Sequence, residues 1–137
     1  MKRRKRFALV IGAVAAGVMT LGAQTAAAAT YNTRVTITQD RVTPPHILIH
    51  GDVRSAVRKC EVGRRVVLFE QQPGTDRMLG ATRSSLDHGR AVWGVVVPQS
   101  TGLQRGDRLY AKAPRKQRSG YVCRADRSKI LLHPARQ

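Results

Sequence analysis

The sequence predicts an all-β protein, a seven- to eight-stranded antiparallel β-sandwich preceded by an N-terminal signal-peptide helix. Three observations lead there. Apolar, often β-branched residues alternate with polar ones along many short stretches, the period of half-buried strands. Turn residues recur roughly every 8–15 residues, which suits antiparallel strands better than βαβ units. Finally, a cationic start runs directly into an apolar stretch and then into small residues, the three-part pattern of a secretory leader.

The leader comes first along the chain. Five cations, Lys2 to Arg6, follow the initiator, and no acid occurs before Asp40. Phe7 to Leu21 is apolar apart from Gly and Thr20, a suitable h-region. Gln24, Thr25 and a run of alanines ending at Ala29 follow, with Ala27 and Ala29 as the small residues signal peptidase accepts. This divides the chain into a leader, residues 1–29, and a single domain, residues 30–137. An uncleaved anchor is the competing reading, because residues 7–29 could cross a bilayer of ~30 Å. Their second half, rich in Ala, Gly, Gln and Thr, inserts weakly. The first cysteine is Cys60, so lipidation at a leader cysteine is excluded. The Arg3-Arg4 pair is compatible with twin-arginine export, although the residues after it match that pattern poorly.

Within the domain, Val35 and Ile37 alternate with threonines as a first strand. Pro44 and Pro45 interrupt, since proline donates no ladder bond. Ile47 and Ile49 then alternate with Leu48 and His50, and Gly51 marks a bulge before Val53. Arg64 to Glu70 is rich in β-branched and aromatic residues, which predicts a central strand. Gln71 to Asp76 reads as a turn around Pro73-Gly74, Met78 to Arg83 as a short strand, and Asp87-His88-Gly89 as the next turn. Arg90 to Val97 is apolar on both faces, which predicts a strand inside a sheet. Pro98 to Gly106 is a loop, Arg108 to Ala113 a strand, and Pro114 to Gly120 a basic loop. Tyr121 to Cys123 and Lys129 to His133 close the set.

Two cysteines in an exported chain favour a disulfide. A Cys60–Cys123 bridge stabilises by ~4 kcal/mol in the chain-entropy model, a large share of a small domain's margin. A strand core begins six residues after Cys60 and seven residues after Cys123, so the strands over Arg64 to Glu70 and Lys129 to His133 are expected to begin at the same end of the sandwich. Charge narrows differently. Without the five leader cations the formal net charge falls from +17 to +12. The basic residues cluster at Arg58-Lys59, at Arg64-Arg65 and at Arg115-Lys116-Arg118.

The pattern of Cys60, Gly63, Arg64, Val66 and Leu68, then Leu79-Gly80, then Tyr110-Ala111 and Cys123, resembles small exported β-sandwich modules of actinobacteria. These are broadly of the transthyretin or carboxypeptidase-regulatory type. The resemblance covers most of residues 30–137, and implies a sandwich fold and a non-catalytic role. It implies no cofactor.

His46 and His50 have a zinc-like spacing on a helix, but on a strand their rings would stand ~13 Å apart, beyond one ion's reach. Ser84, Ser85, Asp87 and His88 are neighbours in one turn, whereas a catalytic triad converges from distant segments. No Gly-rich phosphate loop, EF-hand or paired-cysteine zinc spacing occurs, so no metal or cofactor is expected. Two function classes remain: a structural or accessory binding protein of the cell envelope, and a cationic module for polyanions. The second would use Arg58, Lys59, Arg64, Arg65, Arg115, Lys116 and Arg118, if the fold gathers them. Its ligands would be anionic envelope polymers such as teichoic acid or acidic polysaccharide, or extracellular DNA. Nucleic acid read by base stacking is not expected, because aromatic residues are only 4% of the chain. A membrane partner follows only if the leader is retained.

Overall fold

A computed structural model describes residue 22 and residues 26–39 and 44–134. The predicted signal-peptide helix lies almost wholly outside the described residues. The strands are β1 (Ala29–Tyr31), β2 (Thr33–Val35), β3 (Thr38–Gln39), β4 (His46–Ser55), β5 (Arg65–Gln71), β6 (Arg77–Arg83) and β7 (Ser85–Asp87). They continue with β8 (Arg90–Pro98), β9 (Arg108–Ala113), β10 (Lys116–Arg118), β11 (Tyr121–Cys123), β12 (Asp126–Arg127) and β13 (Leu131–Leu132). The protein is all-β, with two short 3-10 turns at Arg58–Cys60 and Gln99–Thr101.

The strands form two five-stranded sheets and a small third one. The first sheet runs β2-β4-β8-β7 with β3 also on β4; the second runs β12-β9-β5-β6 with β13 also on β9. Every pairing within these two is antiparallel. The third sheet, β1-β11-β10, contains the parallel pair β1 and β11. Alternation drives the packing, as the sequence predicts. Ile47, Ile49, Val53, Trp93, Val95 and Val97 of the first sheet meet Val66, Leu68, Leu109, Ala111 and Ala113 of the second in one core. Burying each of the larger side chains contributes about 1.5–3 kcal/mol. The sheets approach closely at Gly80, where an added Cβ would stand 2.6 Å from Val95 Cγ1.

Several expectations are corrected. Thirteen strand segments form among the described residues rather than seven or eight. One cause is a break at Thr36-Ile37, where the Thr36 hydroxyl accepts from the Asp52 backbone N–H and the Thr36 carbonyl accepts from the Trp93 indole. The irregularity lies opposite Gly51, whose added Cβ would stand 2.0 Å from the Thr36 carbonyl oxygen. The basic Pro114–Gly120 loop is itself a β10–β11 hairpin. The β8 strand is paired on both sides, but its outer face is open: Val96 is 58% exposed. Cys123 closes β11, the strand expected over Tyr121 to Cys123. The disulfide itself forms, with Cα atoms 5.5 Å apart across a separation of 63 residues. The strand expected over Lys129 to His133 is β13, and it pairs with the Arg108-Leu109 end of β9, so it does not begin beside β5 as expected. The unpredicted β12 does, and β5 and β12 both run antiparallel to β9 from its Ala113 end.

Candidate anion-binding groove

At that end of β9, three segments converge: the start of β5, the end of β6 and the β10 hairpin. They enclose a depression of about 300 Å³ walled by Arg65, Arg83, Arg115, Lys116 and Arg118, with Gly63 and Arg64 beneath. No acid lines it. The acids among the described residues are engaged elsewhere. Asp52 pairs with Arg54, Glu61 with Arg58 and Glu70 with Arg77. Asp87 contacts His88, Asp76 accepts from Tyr110, and Asp107 and Asp126 accept backbone N–H groups.

The hairpin is positioned by covalent and ionic means. The disulfide ties Cys123 at the end of β11 to the turn that carries Lys59. The Lys59 ammonium lies 4.2 Å from the Tyr121 ring centroid and 5.5 Å from that of Tyr31. The Lys116 ammonium donates to the Lys59 carbonyl at 3.1 Å. Cation–π contacts of this kind stabilise by about 0.5–1 kcal/mol at exposed sites.

Of the candidate residues read from the sequence, Arg65, Arg115, Lys116 and Arg118 are brought together, and Lys59 stands beside them through Lys116. Arg58 is not. Its guanidinium is 3.1 Å from Glu61 Oε2 and donates to the Gly89 carbonyl, facing a different depression. Arg64 is a correction of another kind. It is 1% exposed, so its side chain is a clamp inside the domain rather than a surface ligand. Its Nη2 donates to the Pro114 and Arg124 carbonyls at 3.0 and 2.9 Å, and its Nη1 to the Cys123 carbonyl at 3.5 Å. Those carbonyls belong to the ends of β9 and β11, so one side chain seals the seam beneath the groove. Burial pushes its pKa down, but an arginine stays charged. The sequence hid this role because an arginine beside an arginine reads as a surface pair.

Arg83 is the residue sequence reasoning missed. It lies opposite Arg65 across β5 and β6 and donates to the Gly63 carbonyl at 3.0 Å. Counting outward from the Pro73-Gly74 turn pairs Arg65 with Thr82; a register shift between Leu68 and Phe69 brings Arg83 there instead, and no local signal in the sequence marks it. Ser84 is 3% exposed, and its hydroxyl is engaged structurally: it donates to the Glu61 carbonyl and accepts from the Arg64 N–H. Asp87 and His88 stand exposed on the β7–β8 turn, with His88 at φ 47°. His46 and His50 sit along β4, and among the described residues no cluster of three or more His, Cys, Asp or Glu could hold a metal ion.

The groove offers fixed guanidinium and ammonium donors, the chemistry that recognises phosphate, sulfate and carboxylate. No family model, curated protein or solved structure matches the chain.

Proposed function

We propose that this is an exported, non-catalytic β-sandwich with an accessory binding role at the cell envelope, and that its basic groove takes an anionic envelope polymer. One observation carries the binding part: five cations from three separate segments line one depression that contains no acid. Like charges gathered this way repel, and a bound polyanion relieves the repulsion. The non-catalytic role rests on the resemblance to small exported modules. Export rests on the leader pattern, and the disulfide is compatible with an extracellular location.

The aromatic residues support a ligand held through its charges. Lys59 lies against the Tyr31 and Tyr121 rings, and Phe69 stacks on Tyr110 at 5.3 Å. Rings already covered make poor platforms for nucleic-acid bases. The test is binding of the secreted chain to purified teichoic acid or heparin. Affinity is expected to fall steeply between about 50 and 200 mM salt, by counterion release. No binding at the lower salt concentration would end the reading.

A further inference from the structure

We propose that the groove is one end of a longer anion track crossing the outer face of the second sheet, and that the track seats a linear, ring-free polymer with a phosphate in every short repeat. This rests on the polyanion reading and adds where the chain lies. Arg83 faces Arg65 across β6 and β5. Two residues along β5, Val67 faces Lys112 of β9, which in turn faces Arg127 of β12. Arg65 and Lys112 are therefore diagonal neighbours, about 7–8 Å apart between backbones.

These side chains share one face because their alternates are in the core. Val66, Leu68, Leu109, Ala111 and Ala113 are each 0% exposed, whereas Arg65, Arg83, Lys112 and Arg127 are exposed. Two of the cross-strand pairs, Arg65 with Arg83 and Lys112 with Arg127, set like charges directly opposite each other, which destabilises a sheet. Among the described residues, no carboxylate makes an ion pair with any of these four. Arg127 lies 3.6 Å over the Tyr110 ring, whose hydroxyl donates to Asp76. That acid marks the far end of the track. Cations spaced at about 5–8 Å suit a flexible chain bearing a charge on each short repeat, and the covered Tyr110 ring offers a base nothing to stack on.

The experiment measures binding of long-chain polyphosphate, tripolyphosphate and an oligothymidylate of matched phosphate number to the secreted chain and its variants. Lys112→Gln and Arg127→Gln should each weaken long-chain binding by up to about fivefold at low salt. Each should also lower the slope of log affinity on log salt by about 0.7, and leave tripolyphosphate unchanged. Arg65→Gln with Arg83→Gln should weaken both phosphate ligands. Arg105→Gln, in the loop beyond the opposite end of β9, should change neither. If the groove variants weaken binding while Lys112→Gln and Arg127→Gln do not, the track is wrong and the groove reading survives. If nothing binds the unaltered chain, the polyanion reading itself fails. Equal losses for Arg105→Gln would mean diffuse charge, and tighter binding of oligothymidylate would mean that bases are read; either result overturns the track. Should Arg127→Gln loosen Tyr110, Lys112→Gln decides alone, since its side chain makes no hydrogen bond or ion pair among the described residues.

Discussion

Two depressions on this molecule are both rich in arginine, yet they differ in what the arginines face. The smaller, about 210 Å³, holds Arg54, Arg58 and Arg90 together with Asp52 and Glu61. There Arg54 is 3.2 Å from Asp52 and Arg58 is 3.1 Å from Glu61. The larger gathers its cations without an acid. The same residue type closes the surface in one place and leaves it open to a ligand in the other. Net charge alone therefore identifies no site here; the distribution of a few acids does.

The comparison can be broken most severely at the disulfide. Cys60→Ala with Cys123→Ala should lower unfolding free energy by about 4 kcal/mol, measured by denaturant titration. Because the bridge anchors the β10–β11 hairpin, polyanion binding to the folded remainder should also drop. A binding curve that does not change would show that the groove forms without its anchor. Next in size is Arg64→Met, which removes the donor shared by three carbonyls and should cost about 3 kcal/mol. A loss below about 1 kcal/mol would mean that the seam is held by other contacts.

Surface substitutions sharpen the contrast more gently. Arg65→Gln with Arg83→Gln should weaken polyanion binding about tenfold, with stability unchanged or raised by up to about 1 kcal/mol from relieved repulsion. Arg58→Gln should lose less than about 1 kcal/mol of stability and leave binding as it was. If both changes weaken binding alike, the distinction between the two depressions collapses.

The smallest effect concerns pH. The hydrogen bond from Tyr110, reinforced by the Gln72 N–H, holds the Asp76 carboxyl below the usual carboxylate range. Its contribution to stability is present above the unfolded value of about 3.9 and is lost as pH falls through the lower folded value. Burial, followed by the bond to Asp76, raises the Tyr110 phenol. That contribution is present below about pH 10 and is lost as pH rises through the raised value. Asp76→Asn should flatten the acid limb of a stability–pH curve. An unaltered limb would show that Asp76 has no part in it.

The inward residues were legible along the chain because alternation has a fixed period. Ile47, Ile49, Leu109 and Ala111 point inward as their spacing requires. Strand count was less legible, because one hydroxyl and one indole can split a ladder, as Thr36 and Trp93 do. The candidate site was legible as clusters but not as a surface. Arg65, Arg115, Lys116 and Arg118 stand out in the sequence, whereas Arg83 stands alone in it and joins them through strand register. Arg64 and Arg58 look no different from their neighbours until burial and Glu61 separate them.

Composition, alternation and cysteine count thus determined an all-β chain with a bridge between its two cysteines, since each is a local or pairwise property. Which basic residues share a groove, and which is sealed beneath it, depended on strand register and on where seven acids found partners. Those are relations between segments up to 91 residues apart, and a linear pattern carries no record of them.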